Sequence, residues 1–177
     1  MSRLSLSTWS IHRALGPEYG PANDGSGRLA PNRDEPGMHN LLEVPSRMVE
    51  KGLNTLEICH FHFPTTDQGY LDELWTALDT AGVELFSILI DAGDITSEDV
   101  VQRDADLAWI RKWLDVAGRC RATHARIIAG QTDIEGTENG DWRDHPVIQM
   151  SADRLKSLAV YGRDRGVQVI TENFHPL

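Results

Sequence analysis

The sequence predicts an α/β fold built as a (β/α)8 barrel, with about five βα units carried by these 177 residues. Three observations point there. Apolar, β-branched stretches alternate with amphipathic helical ones, which demands right-handed parallel crossovers and leaves an open doubly wound sheet or a barrel. The first strand is not followed by a Gly-x-Gly-x-x-Gly turn. Trp9-Ser10-Ile11-His12-Arg13-Ala14-Leu15-Gly16 stands there instead, and it cannot cradle a pyrophosphate in the usual way. Finally, one face of several strands carries polar or small residues: Ser5, Ser7 and Trp9, then Glu57 and Cys59, then Arg126, then Glu172. A barrel interior near its mouth tolerates these, whereas an open parallel sheet packs both faces under helices.

Strands are expected near residues 4–10, 55–61, 84–91, 124–130 and 167–173. Gly52, Gly82 and Gly166 each close a helix just ahead of a strand, because glycine adopts the left-handed conformation that ends a helix. The turn from Cys120 to Thr123 plays the same part without a glycine. Helical spacing gives one apolar face from Leu71, Leu74, Trp75, Leu78 and Ala81, a second from Leu107, Ile110, Leu114 and Ala117, and a third from Leu155, Leu158 and Ala159. Thr96 or Ser97 ahead of Glu98 and Asp99 marks a helix start, Ser151 is a candidate cap, and Pro45 suits a first helical turn.

Turns from helix to strand are tight, while those from strand to helix are long. Residues 11–43, rich in Gly, Pro and Asn, follow the first strand; residues 131–146, with Asp133, Glu135, Glu138, Asp141 and Asp144, follow the fourth. Long loops of this kind are lids, binding loops or disordered segments, and barrel active sites lie on the face they decorate. For the Gly-rich twenties a solvated insertion is the alternative.

With 40% hydrophobic residues, positions 1–177 suffice for a single barrel domain with a sizeable core. Eight strands and about 250 residues make a whole barrel, so the last three βα units are expected to be missing from this stretch. The alternative is a partial barrel that covers its open edge by association. The net charge of −10 argues against a nucleic-acid surface. Cys59 and Cys120 lack metal or redox spacing and read as reduced thiols. The first ten residues do not make a signal peptide and no apolar run spans a bilayer, so a soluble, cytoplasmic protein is expected.

Four segments together carry a resemblance: Leu6-Ser7-Thr8-Trp9, Leu56-Glu57-Ile58-Cys59-His60-Phe61-His62-Phe63-Pro64, Ala125-Arg126-Ile127-Ile128 and Val169-Ile170-Thr171-Glu172-Asn173. In order and spacing they resemble the xylose isomerase-like TIM-barrel superfamily of sugar and sugar-phosphate isomerases and epimerases, to which endonuclease IV-type enzymes are related. The resemblance implies that Glu172 ligates a divalent metal ion (Mn, Mg, Co or Zn) and, in the epimerase branch, moves the substrate proton. It also implies an Asp, a His and a second Glu from strands six to eight. The activity implied is proton transfer through an enediolate, on a small sugar or sugar phosphate, in a possible homo-oligomer. Two further readings stand beside it. One is a zinc phosphodiesterase of the endonuclease type, which the acidic charge opposes; the other is a non-catalytic partial barrel that binds a partner through its open edge.

Other residues have candidate roles. On a regular strand His60 and His62 point the same way and face one ligand, unless Pro64 ends the strand and leaves them in a loop. Arg126 on an inner face needs an anion, either Glu57 or a substrate oxygen, and the non-catalytic alternative for Glu172 is a strand-end acid that caps a neighbouring helix or pairs with Arg126. Trp9 offers a flat wall to a sugar or packs at the mouth. Asn173 orients Glu172 or binds a hydroxyl, and His175 reaches the substrate or lies exposed. Trp109 and Trp113, at helical spacing, read as outer-layer packing.

Overall fold

A computed structural model describes residues 4–24, 26, 28–32, 36–134 and 142–172. Its elements in chain order are β1 (Ser5–Ser7), α1 (His12–Leu15), β2 (Tyr19–Pro21), β3 (Leu29–Pro31), α2 (Val44–Val49), β4 (Thr55–Cys59), α3 (Gln68–Ala81), β5 (Glu84–Ile90), α4 (Val100–Arg119), β6 (His124–Ile128), α5 (Pro146–Arg163) and β7 (Gln168–Glu172). Five strands form one sheet in the order β1-β4-β5-β6-β7, and every pairing in it is parallel. These are the five expected barrel strands. The hairpin of β2 with β3, antiparallel, lies in the first long loop and was not expected.

Alternation along each strand divides the sheet into two faces. Leu56, Ile58, Ile88, Ile90, Ala125 and Ile127 are fully buried, as are Leu71, Leu74 and Leu78 of α3, Ile110, Leu114 and Ala117 of α4, and Leu158 of α5. The other face carries the polar set. Ser5 donates to Glu57 Oε1 at 3.3 Å, Ser7 stands level with Glu57, and Arg126 stands level with Leu89 and Ile170. Burying a Leu or Ile contributes roughly 1.5–3 kcal/mol, so the helix-facing layer is the main source of stability. Leu114→Ala is expected to cost about 2–5 kcal/mol in urea unfolding.

Several boundaries differ from the sequence reading for local reasons. The first strand stops at Ser7, because the Ser7 hydroxyl accepts the Trp9 amide and the chain turns into a 3-10 segment, Thr8–Ile11. The second stops at Cys59 and continues as the 3-10 turn His60–His62. The helix expected to begin at Thr96 or Ser97 begins after Asp99, whose carboxylate accepts the Val101 and Gln102 amides. Ser151 is no cap: α5 starts five residues earlier behind His145, and the Ser151 hydroxyl donates to the Ala129 carbonyl. Pro45 does lie in the first turn of α2. Gly82 closes α3 with φ +65°, and where glycine is missing after α4, Arg121 takes φ +58° with its guanidinium 4.1 Å from the Trp75 ring.

Candidate functional site

All five parallel strands end on the same side, and the polar side chains gather there. Arg126 is central because β6 lies between β5 and β7. Its Nη1 is 2.5 Å from Asp91 Oδ1, just past the end of β5, and 3.0 Å from Glu172 Oε1, the last residue of β7. The three side chains are 11%, 22% and 47% exposed in the order Arg126, Asp91, Glu172, so the cluster opens to solvent at the glutamate. Neither contact has the direction of a hydrogen bond, and Nη1 is held by charge proximity alone. One cation between two carboxylates leaves the cluster formally negative.

This corrects the pairing expected of Arg126. Glu57 is on β4, one strand beyond β5, and its recorded partner is Ser5. Asp91, which the sequence reading missed, takes its place. It had the same signal as Glu172, an acid directly after an apolar strand.

His60 and His62 lie in a 3-10 turn, so strand alternation does not set their direction, yet both are buried. His60 Nδ1 is 3.2 Å from both the Asp91 amide and the Leu89 carbonyl oxygen, and the ring makes edge-to-face contacts with Phe61, Trp109 and Trp113 at centroid distances of 5.1, 5.1 and 5.4 Å. His62 Nδ1 is 2.8 Å from Thr8 Oγ1, while its Nε2 is buried without a partner. Burial, first among the causes, pushes both imidazoles down to about 4, and neither is charged at neutral pH. Trp9 is 56% exposed; it is a rim residue rather than mouth packing, stacked on the His12 ring at 5.0 Å with an interplanar angle of 17°. Asn173 and His175 lie outside the described residues. Trp113 packs as expected, whereas Trp109 also lines a cavity of about 550 Å³ with His60, Phe61, Asp91 and Tyr19. Cys59 and Cys120 are buried free thiols, pushed up by burial to about 11 and about 12, and so are poor nucleophiles.

Two loops of the site are tied together. Asp94 Oδ1 accepts from the Thr96 amide and hydroxyl and from the Gln131 amide, and Thr132 donates to the Thr96 carbonyl. Asp94→Ala is expected to lower unfolding free energy by about 1–3 kcal/mol, by leaving the Thr96 amide and hydroxyl without their acceptor.

The buried histidines make a second testable feature. A histidine whose folded value lies below its unfolded 6.5 contributes stability that is full above 6.5 and is lost as pH falls toward 4. Unfolding free energy is therefore expected to drop by several kcal/mol across that window, and His62→Gln should flatten the profile. Asp94, held below its usual value by its hydrogen bonds against the opposing effect of burial, adds a loss only below 3.8. A flat urea-unfolding profile from pH 6.5 to 4.5 would contradict the assignment.

A divalent ion needs several oxygen or nitrogen donors at one point. Among the described residues no group of three or more His, Cys, Asp or Glu is placed to hold one. Glu172 offers a single carboxylate, and the group beside it is a cation. The described residues alone do not fit a metal. Nor is any described helix long and apolar enough to cross a membrane.

A model of the xylose isomerase-like TIM barrel matches residues 46–176. The chain belongs to that family. No curated protein matches it by sequence. Among solved structures, L-ribulose 3-epimerase is 15% identical at a TM-score of 0.64, over 97% of this chain and 49% of that one. D-psicose 3-epimerase with D-fructose is 13% identical at 0.59, over 74% and 46%. A xylose isomerase-like TIM-barrel protein from Mycobacterium smegmatis, in complex with magnesium, is 18% identical at 0.60, over 98% and 55%. At such identities the likeness shows the fold. The xylose isomerase-like chain described here spans about half the length of each of these neighbours.

Proposed function

We propose that this chain supplies one half of the active site of a sugar isomerase or epimerase, with Glu172 as the carboxylate that moves the proton. The observation that carries the reading is the Arg126–Glu172 clasp: Glu172 ends β7 at the open end of the strands, with Oε1 3.0 Å from Arg126 Nη1 and its side chain 47% exposed. Membership of the family and the neighbouring sugar epimerases support it.

Taking a proton from the carbon beside a sugar carbonyl gives an enediolate, and returning it to the same or the neighbouring carbon epimerises or isomerises the sugar. Glu172 would accept that proton and give it back. Arg126, anchored by Asp91, keeps the carboxylate oriented while the rest of the side chain stays solvated. Trp9 offers the exposed ring against which the apolar face of a sugar stacks. Asn173 and His175, which follow β7 in the sequence, are proposed substrate contacts. A divalent ion, Mn, Mg, Co or Zn, would stabilise the enediolate oxygens. Glu172 would be one of its ligands, and the others must come from outside the described residues.

The test is solvent exchange. The intact gene product, supplied with Mg²⁺ or Mn²⁺ and a panel of ketoses and their phosphate esters in D₂O, should place deuterium on the carbon next to the carbonyl of at least one of them. No exchange across the panel, with the protein folded, would sink the proposal.

A further inference from the structure

Trp9 is the exposed ring that the proposed site offers to a sugar, and an exposed indole makes a poor wall unless something holds it still. Fixing one side chain on binding lowers affinity roughly 2- to 12-fold, a loss that a ring already fixed in the free protein does not incur. The main chain of Trp9 is held at both ends. Its amide donates to Ser7 Oγ at 3.3 Å, and its carbonyl accepts the His12 amide that closes the 3-10 segment Thr8–Ile11. The residue before it, Thr8, is fully buried.

The ring is held by His12. Residues three apart on a helical turn share one side, and here the half-buried imidazole lies over the indole with 5.0 Å between centroids and 17° between planes. Stacking alone would let the imidazole slide and turn. A second contact fixes it: His12 Nδ1 is 2.8 Å from the Trp9 carbonyl oxygen, and because a carbonyl only accepts, Nδ1 carries a proton and donates it. Both contacts of His12 thus end on one residue. Phe61 stands nearly perpendicular to the indole, at 5.9 Å and 83°. Braced by these two rings, Trp9 is still 56% exposed.

We propose that His12 is a positioning residue for sugar binding: hydrogen-bonded to the Trp9 carbonyl and stacked on the Trp9 indole, it holds that ring in the orientation against which the sugar packs. The inference rests on the reading of the strand ends as a sugar site and deepens it. His12 acts through Trp9 and not on the reacting atoms, so its effect falls on affinity and leaves the proton-transfer step alone.

Three substitutions separate the contacts. His12→Phe keeps a ring to stack and loses the hydrogen bond, His12→Asn keeps a donor for the carbonyl and loses the ring, and His12→Ala loses both. Backbone spectra of the ¹⁵N-labelled chain establish that each variant is folded and give its affinity for D-fructose. His12→Ala and His12→Asn should bind at least three-fold more weakly, and His12→Phe within about two-fold of wild type. In the free protein, ¹⁵N relaxation of the Trp9 indole N–H should report greater ps–ns mobility in His12→Ala and wild-type behaviour in His12→Phe. Combined with Trp9→Ala, His12→Ala should cost nothing more, because no ring remains for it to hold. Where a ketose exchanges its proton, His12→Ala should raise KM by the same factor at an unchanged kcat. No binding of D-fructose, unaltered affinity in His12→Ala, failure of His12→Phe to rescue, or a loss that persists without Trp9 would overturn the proposal. A protein that binds as expected yet exchanges no substrate proton would instead refute the catalytic reading and leave this one standing.

Discussion

Arg126→Met is expected to destabilise the protein by about 3 kcal/mol, the largest loss from any single change at the strand ends. Breaking a buried ion pair by removing one partner costs about 3–5 kcal/mol, because the remaining charge keeps its desolvation without its compensation. Here the charge left behind is Asp91, 22% exposed; Glu172, 47% exposed, recovers water easily and moves the expected value to the lower end. Asp91→Asn added to Arg126→Met should therefore recover part of the loss, whereas two independent sites would add. Urea unfolding of the four proteins makes the cycle. A loss below about 1 kcal/mol for Arg126→Met would show that the clasp is a surface ion pair in its energetics.

Glu172→Gln is expected to do the reverse: little change in stability and a large change in rate. The side chain is half exposed, and glutamine keeps its volume and an oxygen for Arg126. What is lost is the ability to take a proton, which is worth about 10²–10⁴ in rate for a positioned general base. Asp91→Asn should lower the rate less, since Asp91 acts through Arg126 and its oxygen contacts the guanidinium, not the substrate. If the two variants lose activity equally, orientation by Arg126 and proton transfer by Glu172 are not separate functions.

Much of this was visible in the residues. Leu71, Leu74 and Leu78, or Ile110, Leu114 and Ala117, recur at helical spacing because one wall of each helix meets the sheet, and all six are fully buried. Glu172 was legible as an acid at the end of a β-branched run. Arg126 was legible as a cation on an inner face and Glu172 as a possible partner for it, but Asp91 was not. Which strands are neighbours is a property of the sheet, and the order β4-β5-β6-β7 puts Asp91 and Glu172 beside Arg126 and Glu57 out of line.

The histidines show a different limit. His60-Phe61-His62 has the alternation of a strand; Pro64 was the local sign that the strand could end before it, but not that the chain turns already at Cys59. The turn is held by long-range contacts, with Thr8 taking the Cys59 amide across 51 residues and His60 meeting the Asp91 amide across 31. Thr96 misled for a related reason: it looks like a helix cap, and its hydroxyl is instead committed to Asp94 and the β6 loop. The hairpin of Tyr19–Pro21 with Leu29–Pro31 was hidden in a Gly- and Pro-rich stretch because strands of three residues leave no periodicity to read.

The carboxylate held by Arg126 at the end of β7 is proposed to carry the proton. Deuterium wash-in from D₂O tests it most directly, with wild type and Glu172→Gln compared on one ketose at equal metal loading. Exchange in the wild type, lowered at least about 100-fold in the variant with the fold intact, is the predicted result. Exchange retained in Glu172→Gln would contradict it and assign the proton to another group.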